Sequence, residues 1–205
     1  MKNEMILEQF IRSYWNYYLE LEEQIILTKR YVEFDESNFK TFSIEYLKLF
    51  QAVCSEIDVV GKYIAEMFNK DFRKIENKNI QKWGYEIHKM FPEIEEKNVC
   101  FNNKIQMKPW ENWEYIKYRD NKNALKYKLA DKKKTPFWWS AYNKVKHERT
   151  SIYQGDKTNY VRANLKNLVY AMAALYIVES LFIEYLKKNI SIDINIKKSN
   201  LFILE

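Results

Sequence analysis

Apolar residues recur every three or four positions through most of this chain, and that period predicts helices. From about Asn3 to about Phe34 the seam runs through Ile6 or Leu7, Phe10, Tyr14, Tyr17 or Tyr18, Leu21, Ile25 and Thr28. Glu20, Glu22 and Glu23 fill the face between. After the polar break DESN, a second seam from about Phe42 to Asn69 carries Ile44, Leu47, Cys54, Ile57, Val60, Ile64 and Met67. A shorter helix, Ile80 to Met90, should stop before Pro92, because the residue before a proline is pushed out of the helical region. The segment TPFWWSAYNKVKHERT, Thr135 to Thr150, predicts the next helix, with Pro136 suited to its first turn. The last helix, about Tyr160 to Lys188, is apolar nearly all round between Leu168 and Val178, as the central helix of a bundle would be.

The stretch from about 92 to 134 breaks this pattern. NVCFNNKIQMKPW alternates on either side of Asn102-Asn103 and suits a small β-hairpin. ENWEYIKYRDNKNALKYKLADKKKT mixes aromatics with lysines and reads as an irregular surface insertion with one helical turn. The loop TSIYQGDKTN separates the last two helices, and the tail SIDINIKKSNLFILE has room for a short strand or an extended strap. The expected fold is mainly α: one up-down bundle of about five helices with a small β-hairpin insertion. Composition agrees. With only 3 Gly and 3 Pro, a turn-rich sandwich or barrel is disfavoured, and 205 residues suffice for a sizeable core.

On a wheel of about 100° per residue, Phe137, Trp138, Ala141 and Val145 form a core stripe. Trp139, Asn143 and His147 fall on the opposite side, flanked by Lys146 and Ser140. Residues four apart are neighbours on a helix surface, so Asn143 and His147 can act on one small volume with Lys146 beside them. A solvated histidine and a Trp139 buried in ordinary packing are the plainer alternative.

Charge and targeting narrow the setting. The net charge of +6 permits nucleic-acid contact without requiring it. Cys54 and Cys100 are too few for a disulfide framework, and Cys54, His88, Cys100 and His147 match no metal spacing. Neither a metal nor a cofactor is expected. MKNEMILEQF is charged from the start, unlike a signal peptide, and LVYAMAALYIV is short for a bilayer. The chain is expected to be cytoplasmic, without membrane contact.

The order of elements, with Ser55-Glu56-Ile57-Asp58…Lys62 on the second helix, Tyr142-Asn143-Lys144-Val145-Lys146-His147 on the motif helix and an apolar last helix, resembles the HEPN superfamily. The resemblance implies a small helical bundle of the prokaryotic toxin–antitoxin or anti-phage type. It also implies a homodimer, metal-independent cleavage of RNA, and an antitoxin or nucleotidyltransferase partner. The family motif has Arg, a polar residue, three variable residues and His. Aligned on His147, Asn143 takes the polar position and Tyr142 stands where the family has Arg.

In that reading His147 is the base, Asn143 positions the phosphate or the base, and Lys146 stabilises charge. Trp139, Tyr142, Lys144, Arg149 and Glu56 are further candidates for contact with substrate. Arg149 falls about 160° around the wheel from His147, so Lys146 is the better cation. Asp58 and Lys62, four apart, can simply pair; alternatively Glu56 or Asp58 orients His147 or neutralises Lys146. The insertion interleaves Lys117, Arg119, Lys122, Lys126, Lys128 and Lys132–Lys134 with Trp110, Trp113, Tyr115, Tyr118 and Tyr127, as single-stranded RNA binding requires. Two functions follow: an endoribonuclease, or a catalytically inactive module of the same fold that binds RNA, a nucleotide or a protein.

Overall fold

The computed structural model describes residues 2–113, 115–119, 121, 125–129, 135–188, 190 and 194–205, with backbone alone at 2, 115–117 and 125–129. Five helical rods carry it. The first is continuous but not uniform: α1 (Lys2–Phe10) passes through a π-helical turn (Ile11–Trp15) into α2 (Asn16–Thr28). It is followed by α3 (Ile44–Phe68), α4 (Ile80–Met90), α5 (Phe137–His147) and α6 (Leu165–Lys187). The mainly α bundle expected from the periodicity is the observed architecture.

Helix starts are set by side-chain caps that satisfy otherwise orphaned N–H groups. Ser43 Oγ accepts from Tyr46 N, Asn79 Oδ1 from Lys82 N, and Asn164 Oδ1 from Asn167 N. The last of these makes α6 begin at Leu165; residues Asn159–Arg162 form a 3-10 turn and not the first turns of α6. The first rod ends at Thr28, short of Phe34. Phe34 is fully buried and packs against Phe101, with ring centroids 5.4 Å apart, so the chain turns at Lys29–Tyr31 to deliver it. α6 is 72% buried over its most apolar window, so the helix long and apolar enough to cross a membrane is the bundle's centre here.

The expected hairpin is present as β1 (Val99–Phe101) and β2 (Ile105–Met107). Asn102 and Asn103 both take positive φ, 51° and 54°, a backbone that Asn tolerates better than most residues. The tail supplies a third antiparallel strand, β7 (Phe202–Leu204), with Cys100 opposite Ile203. A buried glutamate fastens it. Glu22, 1% exposed, accepts from Tyr18 Oη at 2.7 Å, from Asn200 N at 2.8 Å, from Leu201 N at 3.2 Å and from Ser199 Oγ.

The remainder of the insertion differs from expectation. Tyr115–Arg119 (β3) and Leu125–Leu129 (β4) form an antiparallel hairpin, Tyr115 opposite Leu129 and Arg119 opposite Leu125. Just before it, Trp110 and Trp113 are fully buried, so the Trp110–Trp113 turn is pinned into the core, while Tyr118 and Arg119 of β3 lie at the surface. The loop between the last helices also contains strands, β5 (Ile152–Gln154) and β6 (Lys157–Thr158), turning at Gly155 with φ +59°.

Candidate functional site

Five of the chain's tryptophans meet around α5. Trp110 stacks on Trp113 at 4.7 Å, Trp138 stands edge-on to Trp110 at 5.2 Å, and Trp83 of α4 meets Trp110, Trp113 and Trp139 at 6.4, 5.8 and 6.1 Å. Trp138 Nε1 donates to Pro109 O at 2.8 Å and Trp110 Nε1 to Ala174 O at 3.2 Å, so the polar edges of both rings are satisfied inside the core. α5 is therefore buried on more sides than its wheel predicts. Trp139 and Tyr142, each 6% exposed, belong to the core together with Trp138, Ala141 and Val145, whereas Phe137 is 45% exposed. Trp139 is not a ring on the polar face.

Besides Phe137 at its start, α5 leaves Ser140, Asn143, Lys144, Lys146 and His147 to solvent. Asn143 and Lys146 open into a cleft of about 400 Å³ whose far walls are Ser55 and Asp58 of α3 and Lys78, Asn79 and Gln81 at the start of α4. Trp139 and Tyr142, each 6% exposed, also line it. The cleft's acid is held from two sides. Trp83 Nε1 donates to Asp58 Oδ1 at 3.0 Å, and Lys62 Nζ binds Asp58 Oδ2. Asp58 is thus oriented by a core ring and charge-balanced by a neighbour one turn on.

Lys146 Nζ lies 5.4 Å from the centre of the Tyr142 ring, a cation–π arrangement. Burial raises the Tyr142 hydroxyl above the usual phenol value, and the Lys146 charge partly offsets it. Among the described residues Lys146 has no ion pair. Lys78, by contrast, donates to Glu66 Oε1 at 2.7 Å.

The other candidates are dispersed. His147 is the exposed last residue of α5 and does not line the cleft. Lys144 is spent on Glu148, with contacts of 2.9 and 2.8 Å, and Arg149 turns back to the Val145 carbonyl at 3.4 Å. Glu56 belongs elsewhere: its charge acts on Tyr14 and Glu179, at the junction of the first rod with α3 and α6. It neither orients His147 nor neutralises Lys146. Asp58 is the acid of α3 that faces Tyr142 and the cleft.

The expected RNA-binding interleave is reduced. Trp110 and Trp113 are sealed in the core, while Tyr118 and Arg119 remain exposed. Lys122 and Lys132–Lys134 lie outside the described residues, and the side chains of Tyr115, Lys117, Lys126, Tyr127 and Lys128 are likewise outside them.

Sequence reasoning passed over Lys78, Asn79 and Gln81. Lys78 and Asn79 sit in a charged link without periodicity, Gln81 is an exposed residue of the first turn of α4, and the one local signal was Asn79 placed to cap that helix. No family model, curated protein or solved structure matches this chain. Among the described residues no three His, Cys, Asp or Glu side chains converge as a metal site would require. Chemically, the cleft offers an amide, an ammonium group and a hydroxyl beside a balanced carboxylate. That set suits a polar, anionic ligand carrying hydrogen-bonding edges, and the volume falls in the range of small-ligand pockets.

Proposed function

We propose that this chain is a HEPN-like helical module that binds RNA at the cleft between α3, α4 and α5, in a prokaryotic toxin or defence setting in the cytoplasm. Asn143 and Lys146 are the contacting residues: Lys146 meets phosphate, and the Asn143 amide reads a phosphate oxygen or a base edge. The observation that carries this reading is that Asn143 and Lys146 face one polar cleft, while Tyr142, standing where the family has Arg, has its ring in the core beside Phe50. A buried phenol supplies no cation to a scissile phosphate, and losing one such stabiliser costs ~10²–10³ in rate. Binding is therefore favoured over cleavage.

Cleavage is the second reading, favoured by the exposure of His147 one turn from Asn143, where a second copy of the chain could complete a site. A homodimer, and an antitoxin or nucleotidyltransferase partner, belong to the same proposal. The experiment incubates the purified chain with total RNA in EDTA, beside His147→Ala and Lys146→Ala. Salt-sensitive binding that Lys146→Ala weakens, with RNA left intact, supports the module. Cleavage abolished by His147→Ala selects the nuclease, and RNA neither bound nor cut removes both.

A further inference from the structure

A carboxyl group is sealed in the middle of the most apolar helix. Glu179 of α6 is fully buried, and neither of its oxygens meets a hydrogen-bond donor among the described residues. A carboxylate cannot be held in such a place without a partner, so the group keeps its proton. Glu56, half-buried on α3, acts on it across the α3–α6 interface, and it too has no ion pair or hydrogen bond among the described residues. Burial raises both carboxyls, Glu179 further because the Glu56 charge adds to it, and Glu56 to about 7.

Tyr14 of the first rod senses both carboxyls, and beside them Tyr63 and Glu66 of α3; Glu66 is already matched by Lys78 at 2.7 Å and Arg73 at 3.3 Å.

The backbone opposite is irregular as well. Tyr14 lies in the π-helical turn Ile11–Trp15, and such turns concentrate at functional positions in helices. Its ring meets Tyr63 at 4.9 Å and Phe10 at 5.0 Å, and Phe10 meets Phe182, one turn beyond Glu179, at 4.8 Å. The two carboxyls and the π turn thus share one aromatic junction.

We propose that Glu56 and Glu179 form a proton-holding pair that keeps α1 and its π turn docked on α3 and α6, and that release of these protons to solvent opens this corner of the bundle. The direction follows from linkage. In the open corner both carboxyls return to the ordinary range. The closed corner therefore binds more protons above that range, and rising pH favours opening. Each unit by which the closed pair exceeds the open one multiplies the opening equilibrium tenfold once pH passes both values. The device is independent of the cleft on α5 and stands whether or not RNA binds there.

The test is hydrogen–deuterium exchange of the full chain between about pH 5.5 and pH 8.5, read as protection factors so that the intrinsic pH dependence of exchange cancels. Protection across residues 2–28 should fall about tenfold or more as pH rises, while α4 and α5 change little. Glu179→Gln, which keeps the shape and removes the proton, should flatten the response of residues 2–28. If that variant does not fold, Glu56→Gln is read in the same way. The carbon-13 carboxyl signals of the unaltered chain give a further readout, with at least one Glu titrating well above the ordinary carboxylate range. Protection independent of pH, loss spread evenly over the bundle, or an unaltered profile in the glutamine variant would each overturn the proposal.

Discussion

Gly61→Ala is a demanding test of how the cleft is built. Gly61 lies in the buried face of α3, where alanine would normally be favoured over glycine by about 1 kcal/mol. Here a Cβ would sit 2.7 Å from Cδ2 and Cε3 of Trp83 and 3.0 Å from Cε2, closer than carbon atoms pack. The ring cannot swing aside cheaply. It is fully buried, wedged among Trp110, Trp113 and Trp139, and tied through Nε1 to Asp58. Overpacking of this kind costs about 1–3 kcal/mol and more where the neighbour is fixed. Because the Trp83 ring is fixed, the upper part of that range applies, about 2–3 kcal/mol, and after the propensity gain of about 1 kcal/mol a net loss of about 1–2 kcal/mol remains. For a chain of this length that is a fall in Tm of about 2–8 °C, measured by thermal unfolding with urea denaturation as a check. A double-mutant cycle isolates the clash: in a Trp83→Phe background the same Gly61→Ala change should cost much less. An unchanged or raised Tm for Gly61→Ala would refute the close helix–ring packing on which the geometry of Asp58 rests.

Three further outcomes are expected. Lys146→Ala should weaken RNA binding about tenfold and lower the slope of log K against log salt by about 0.7, the value of one single-strand phosphate contact; equal slopes for the two proteins would place Lys146 outside the interface. Burial holds His88 down at about 4 despite Glu95 Oε2 at 3.0 Å, so the unfolded chain takes up that proton first and stability falls as pH drops from about 6.5 towards 4. His88→Phe should shrink that fall by about 2–3 kcal/mol in urea midpoints compared at pH 7 and pH 4.5. Glu22→Gln removes acceptor capacity from the tail's anchor, costing about 1–3 kcal/mol locally, and trypsin should then cut at Lys197 or Lys198 about tenfold faster; an unaltered digestion rate would show that the β7 pairing alone holds the tail.

The fold was readable where burial had one solution. The seam Ile57–Val60–Ile64 had one face to bury, and the Leu168–Val178 run, apolar nearly all round, fitted only the bundle's centre; α3 and α6 follow them within a few residues, and α4 stops before Pro92. The misreadings arise where distant contacts override local pattern. LKYKL alternates as a strand should, yet its lysines and the polar residues around it hid the partner strand YIKYR, whose pairing becomes plain only in the register of the hairpin. Phe34 continues the first seam in sequence but is drawn out of it by Phe101. The π turn at Ile11–Trp15 leaves no mark in composition, since five ordinary residues adopt it to seat Tyr14 and Trp15 against different neighbours.

The candidate site was misjudged for a related reason. A helical wheel divides a helix into an inside and an outside, but α5 is enclosed from three directions: by α3 through Phe50, by α6, and by the tryptophan layer built from α4 and the Trp110–Trp113 turn. Under that enclosure Trp139 and Tyr142 become structural, and the exposed remainder is a narrow strip ending at His147. A strip alone is a solvated helix edge whose basic end, Lys144, Lys146 and His147, also suits the negative pole of the helix dipole. What turns Asn143 and Lys146 from such an edge into a candidate site is the wall opposite, and that wall comes from Asp58, Lys78 and Asn79, more than sixty residues earlier in the chain. His147 gains nothing from it. The functional weight therefore rests on the pair that shares the cleft, and a histidine with no second wall acts only if another molecule brings one.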